Sequence, residues 1–145
     1  MDKALLASYT DRFQTAFEMT HRKLSQSVFS KLESELTMPQ FFMLYMIRQE
    51  ESPKQTQLAE KMGVKPSAIT VMIDRLVQSG HVVRKHHESD RRIVLVELTT
   101  SGLQVLQKAE DVHKEVTAQG LSQLPAEELH VLVEAFEKLA SFYQQ

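Results

Sequence analysis

Apolar residues along this chain recur at helical spacing, switch once to short runs of β-branched residues, and then return to helical spacing. Over residues 3–33, Tyr9, Phe13, Phe17, Leu24, Val28 and Leu32 fall one or two turns apart, while Arg12, Glu18, Arg22, Lys23 and Lys31 lie off that stripe. One long amphipathic helix is predicted there. Thr37 is followed by Pro39 and, three residues on, by Gln40, which reads as a capped helix start. The run Phe41-Phe42-Met43-Leu44-Tyr45-Met46-Ile47 behind it is apolar on every side and predicts a buried helix. After a polar loop from Gln49 to Pro53, Thr56 is placed to cap a short helical pattern through Met62. Gly63 stops that pattern where the chain needs a residue tolerant of positive φ.

Val64-Lys65 crosses to a further helix that Pro66 can open without losing an intrahelical hydrogen bond. Ile69, Met72, Ile73, Leu76 and Val77 form its apolar face, and Ser67, Thr70, Val71, Asp74 and Gln78 its opposite face. Past Gly80 the period changes. His81–His87 and Ile93–Leu98 read as strands, joined by the polar turn Glu88-Ser89-Asp90-Arg91 into a hairpin. Thr99 then caps a helix to about Gln119 with Leu103, Leu106, Ala109, Val112 and Val116 on one face, and Gly120 to Pro125 breaks it. Leu129, Leu132, Val133, Phe136, Leu139, Ala140 and Tyr143 form a last amphipathic helix. The predicted fold is mainly α with a small β-hairpin wing, in a single domain over 1–145. A winged helix-turn-helix lobe occupies 37–99, and a helical dimerisation region occupies 1–36 and 100–145. Such a motif lays its second helix in the major groove of DNA. Two long amphipathic terminal helices carry more apolar surface than one small lobe covers, so a homodimer is expected.

Composition narrows the chemistry. The longest apolar run, Phe41–Ile47, is far short of the roughly 20 residues that span a bilayer, so no membrane partner is expected. No basic-then-apolar leader precedes Leu5, which predicts a cytoplasmic protein. A net charge of −2 argues against a nucleic-acid binder until it is divided along the chain. Residues 54–92 hold eight Lys/Arg against four acids, and the remainder holds nine against fifteen. A basic face on an acidic body is the expected pattern.

The residues that carry this motif also carry a resemblance. Leu58-Ala59 before Gly63, the run Ile73-Asp74-Arg75-Leu76 with Gly80, then Asp90-Arg91-Arg92 and Leu98-Thr99 with Gly102, resemble the MarR family of transcriptional regulators. The match holds over the whole chain in length and helix order, with the core motifs between about 56 and 102. It implies a homodimer whose terminal helices interlock, most simply a repressor of promoter DNA, with a small-molecule inducer acting where helical and DNA-binding lobes join. It also implies that Asp90 orients Arg92 for the minor groove. On the reading helix, Pro66, Ser67, Thr70 and Val71 are the base-edge candidates: Ser and Thr bond either base type, and Pro and Val can meet a thymine methyl. No Arg, Asn or Gln stands among them, so two-pronged readout is absent at those positions. Lys65 and Arg75 are candidate phosphate contacts, although Arg75 can instead pair with Asp74. Arg84, Lys85 and Arg91 are the further backbone candidates of the wing. For a ligand, Met38, Phe42, Tyr45 and Met46 offer an adaptable apolar lining and His21 or Arg22 an anionic anchor, although plain core packing explains the same apolar residues.

Other functions find less support in the sequence. His86 and His87 are adjacent on a strand and point to opposite faces, so they do not chelate one metal. His21 and His113 lack a convincing partner one turn on, and His130 has only Glu134. There is no phosphate loop, no nucleophile elbow and no cysteine nucleophile, so neither an enzyme nor a cofactor is expected. A winged helix that binds protein partners without DNA is the alternative, and it has no need of a basic hairpin tip. The absence of cysteine yields a first prediction: an inducer acts non-covalently, and mild peroxide at doses that spare methionine leaves DNA binding intact. Rapid release in a mobility-shift assay, reversed by a thiol reductant, would overturn it.

Overall fold

In the computed structural model, which describes residues 1–33 and 36–144, the chain forms α1 (Lys3–Lys31), α2 (Met38–Gln49), α3 (Gln55–Met62), α4 (Pro66–Gln78), β1 (Val82–His86), β2 (Val94–Leu98), α5 (Thr100–Leu121) and α6 (Ala126–Tyr143). The predicted six helices and hairpin are all present. The chain divides into two compact units, Met1–Val28 with His113–Gln145, and Phe29–Val112.

The second unit holds the apolar core. Met43, Leu44 and Ile47 of α2, Leu58 of α3, and Ile69, Ile73 and Leu76 of α4 are almost wholly excluded from solvent, together with Val82, Val96 and Leu106. β1 and β2 pair antiparallel with Val82 opposite Leu98 and His86 opposite Val94. That register puts Val82 and, two pairs further along, Val96 on the buried face. α2 departs from the expectation of burial on all sides: Met38 and Phe42 are exposed, and only one face enters the core. Val77 and Leu103 likewise fall outside the buried faces of α4 and α5.

Helix ends follow local chemistry, with two corrections. Thr37 caps α2 reciprocally, its hydroxyl accepting from Gln40 N–H at 3.3 Å and its own N–H donating to Gln40 Oε1 at 2.9 Å. Gly63 adopts φ 63°, and its N–H and that of Val64 close the last turn of α3. Thr56, however, lies inside α3: the N-cap is Lys54, whose N–H donates to Gln57 Oε1 at 2.9 Å. Gln57, the third residue of the helix, thus accepts the N–H of the N-cap residue, whereas a threonine cap accepts an N–H of the first turn. Gly120 continues α5 to Leu121, and the break is confined to residues 122–125. Thr99 caps α5 as expected, accepting from Gly102 N–H at 3.0 Å.

Around the core, α2 is tied to α5 by Arg48, whose guanidinium donates to Glu110 through both terminal nitrogens while lying 5.7 Å from the Tyr45 ring centroid. Those hydrogen bonds raise the Arg48 pKa, outweighing its partial burial. In the first unit, Phe13 and Phe17 of α1 meet Phe136 of α6 at centroid separations of 6.2 and 6.5 Å, and all three rings remain about half exposed. The buried part of the predicted α1 stripe is its C-terminal end, at Val28, with Leu32 buried just past the helix.

Gly102 is required by a close approach. A Cβ added there would stand 2.0 Å from the His81 carbonyl oxygen, which already accepts from Thr99 N–H. The obstacle is backbone, at the point where β1 begins and α5 starts, so a side chain has nowhere to go. Gly102→Ala is therefore expected to lose about 2 kcal/mol, the overpacking exceeding the roughly 1 kcal/mol of helix propensity that alanine adds. Urea unfolding measures it, and a midpoint equal to that of the unaltered protein would refute the clash.

Candidate nucleic-acid interface

α4 presents the surface that the fold prepares for a groove. Pro66 opens it and fixes the first-turn backbone, and Lys65 is the exposed N-cap. With Ile69, Ile73 and Leu76 turned inward, Ser67, Thr70, Val71, Asp74 and Gln78 are left facing solvent. Val71 is 51% exposed, which is a large apolar side chain to leave uncovered on a helix of this size. Arg75 is exposed too, and its alternative partner is taken: Asp74 pairs with Arg84 of β1 at 2.6 Å.

That pair is part of a larger arrangement which the sequence did not disclose. Arg84 Nε donates to Gln55 Oε1 at 3.2 Å, and its Nη2 reaches the Thr70 carbonyl at 3.4 Å as well as Asp74. Gln55 Nε2 in turn donates to Thr70 Oγ1 at 2.9 Å, while the Thr70 hydroxyl donates to Pro66 O at 3.1 Å. Arg84, expected as a DNA-backbone contact, is thus engaged within the protein. Lys85 is also paired, with Glu97 at 2.6 Å. Hydrogen bonds from Lys85 and Ser52 hold the Glu97 carboxyl below its usual range.

The hairpin tip is built around one carboxylate. Asp90 Oδ1 accepts from both the N–H and the Nε of Arg92, at 3.0 and 3.1 Å, and Oδ2 accepts from Nη2 at 3.0 Å. Asp90 and Arg92 come together as the sequence suggested but by a different route. They belong to a turn closed by Ile93 N–H to Asp90 O at 3.1 Å, not to an extended segment. The Arg92 hydrogen bonds lower the Asp90 pKa, and the same bonds raise that of the guanidinium. Arg92 nevertheless keeps a 91% exposed side chain. Arg91 is exposed beside it, and its carbonyl bonds His86 Nδ1 at 2.8 Å. His87 Nδ1 accepts from Ser89 N–H at 3.2 Å. Both histidines therefore serve the turn, a role that adjacent histidines in a sequence do not announce.

The candidate ligand residues are divided between the two units. In the first, His21 and Arg22 are exposed on α1, and His21 stacks on Phe17 at 6.2 Å. In the second, Met38 and Phe42 are exposed on α2, while Tyr45 and Met46 are half-buried against the core. Among the described residues, no three His, Asp or Glu side chains gather where they could hold a metal ion, and no helix is long and apolar enough to cross a membrane.

Comparison with known proteins agrees with this geometry. The sequence profile of the MarR family matches residues 36–94, which contain α2, the two helices of the motif, and the hairpin through its basic tip. The HTH-type transcriptional repressor MdtR of Bacillus subtilis is 32% identical over 128 residues, covering 88% of this chain and 83% of MdtR. The multiple antibiotic resistance protein MarR of Escherichia coli is 33% identical over 110 residues, 72% of this chain and 74% of that protein. Among solved structures, the YusO protein of Bacillus subtilis superposes with a TM-score of 0.78 at 30% identity, over 97% of this chain and 98% of its own. With motif, fold and relatives matched over most of their length in agreement, this chain belongs to the MarR family of transcriptional regulators.

Proposed function

We propose that this regulator is a homodimeric repressor that binds a pseudo-palindromic site in duplex DNA. In this reading each protomer inserts α4 into the major groove, the two half-sites lie about one helical turn apart, and Arg92 enters the minor groove beside each. It regulates without catalysing a reaction and works in the cytoplasm, where promoter DNA is reached. Repression follows from occupying that DNA. The observation that carries the reading is the hairpin tip: an arginine side chain almost wholly exposed, yet with its guanidinium fixed by two hydrogen bonds to a carboxylate that also accepts from its own backbone N–H. An isolated surface ion pair contributes little to stability, whereas an arginine ordered in advance gives up less side-chain freedom on entering a groove of negative potential. Lys65, Arg75 and Arg91 are exposed for phosphate, and Pro66, Ser67, Thr70 and Val71 for base edges. Because the Asp90 pKa is lowered, the tip stays assembled from neutral pH downward until the pH falls through that lowered value, so Asp90 gives DNA binding no pH dependence near neutrality. A small, largely apolar inducer, anchored through His21 or Arg22 when anionic, tunes affinity by changing the separation of the two reading heads.

Two measurements test this. Sedimentation at micromolar concentration is expected to give a dimer, since Phe13, Phe17 and Phe136 remain about half exposed in one chain. A soluble, well-folded monomer would overturn the dimeric reading. On a duplex selected from random sequence, Lys65→Ala is expected to weaken all sequences alike and to lower the salt slope by about one per lost contact. Arg92→Ala is expected to cost about 1–3 kcal/mol per subunit, most on sites with narrow A·T-rich flanks. Asp90→Ala is expected to reproduce part of that loss although it removes a negative charge. Simple electrostatics gives the opposite sign, so tighter operator binding by Asp90→Ala would refute the orienting role.

A further inference from the structure

Arg84 joins three elements that are separate in sequence. It stands on the same face of β1 as the buried Val82, directly opposite Val96, so its side chain leaves the strand on the core-facing side. From there its guanidinium reaches Gln55 at the start of α3 and both Thr70 and Asp74, one turn apart on α4. A planar fork with donors in fixed directions can hold three acceptors at once, whereas an ammonium is a single point charge. Gln55 completes the arrangement, accepting from Arg84 with its oxygen and donating to the Thr70 hydroxyl with its nitrogen.

We propose, resting on the DNA-binding reading above, that Gln55, Asp74 and Arg84 are positioning residues that set the angle between the reading helix and the wing, and that Arg84 acts on DNA through them without itself neutralising a phosphate. Two observations carry this. Asp74 lies on the solvent face of α4, where an unpaired carboxylate would repel DNA; its pairing with Arg84 offsets that repulsion and turns the charge into a link to β1. The Thr70 hydroxyl hydrogen is directed to Pro66 O and its oxygen accepts from Gln55. Thr70 therefore has no O–H to give a base, which leaves it an acceptor and a methyl contact to thymine. Gln55 consequently bears on which base α4 prefers although it lies on another helix.

The test uses the intact protein, the duplex that it selects from random sequence, and a scrambled duplex, each titrated over a range of salt. Asp74→Asn, Arg84→Gln and the double variant are each expected to lose about tenfold or more of the affinity for the selected duplex. The double loss should be no greater than the larger single one, because residues acting as a unit are not additive. Affinity for the scrambled duplex and the slope of log K against log salt should stay at the unaltered protein's values. A slope lower by about one per subunit in Arg84→Gln, with equal losses on both duplexes, would overturn the proposal. So would tighter binding by Asp74→Asn. Should Arg84→Gln fail to fold, Gln55→Ala removes only one methylene and its carboxamide. It is expected to relax base preference at one position of each half-site in a repeated selection, and an unchanged selected sequence would overturn the proposal. If the unaltered protein enriches no duplex, both this inference and the DNA-binding reading fall; if it does and the variants behave as phosphate contacts, only this inference does.

Discussion

The reading surface depends on one constraint, the burial of a single stripe of α4. Ile69, Ile73 and Leu76 are excluded from solvent, and at about 1.5–3 kcal/mol for each fully buried side chain they fix the rotation of the helix about its axis. That rotation alone decides that Ser67, Thr70, Val71 and Gln78 face outward. The neighbours that cover the stripe, Leu58, Val82 and Val96, come from α3 and both strands. The same packing that hides one side of α4 thus holds the helix before it and the hairpin after it. Polar contacts add the angle that apolar packing leaves soft: Arg84 ties β1 to α3 and α4 by directed hydrogen bonds.

The hairpin tip follows a different rule. Nothing there is buried deeply, and the apolar core contributes little to its order. Instead Asp90 organises the turn by gathering three donors from Arg92, while His86 and His87 bond the chain on either side of it. An exposed tip held by local hydrogen bonds can be reshaped by substitution without endangering the fold. α4 cannot, because its outward and inward residues share one helix.

Much of this was legible in the sequence because the signals are local. The 3.6-residue period gave α4 and its outward face, Gly63 and Gly80 gave the ends of α3 and α4, and the two-residue spacing of Asp90 and Arg92 gave their association. What was not legible depends on distance along the chain. Arg84 and Gln55 are 29 residues apart, and no periodicity relates them, so Arg84 read as one more surface base. For Asp74 the sequence offers only its neighbour Arg75, as the alternative to a phosphate contact, because adjacency is all that a sequence shows, whereas the fold carries the β1 guanidinium to it. The uniform apolarity of Phe41–Ile47 concealed that Phe42 faces outward, since hydrophobicity does not distinguish a core from a surface awaiting a partner. Thr56 is not a cap because α3 begins one residue before it, at Gln55, with Lys54 as the N-cap.

The loop before α3 carries a last consequence. Glu51 and Ser52 both adopt positive φ, 48° and 59°, without being glycine, a conformation that costs on the order of 1 kcal/mol per residue. This turns the chain so that Pro53 O accepts from Val96 N–H at 3.0 Å and Lys54 bridges to Leu95, while Ser52 is secured on Glu97 at 2.9 Å. Without these contacts the outer edge of β2, Val94–Leu98, would present unpaired backbone groups, the kind of template on which chains join edge to edge into insoluble material. Two strained residues in a loop thus act as a stopper on that edge, and the wing can remain a short, open hairpin without recruiting strands from other molecules.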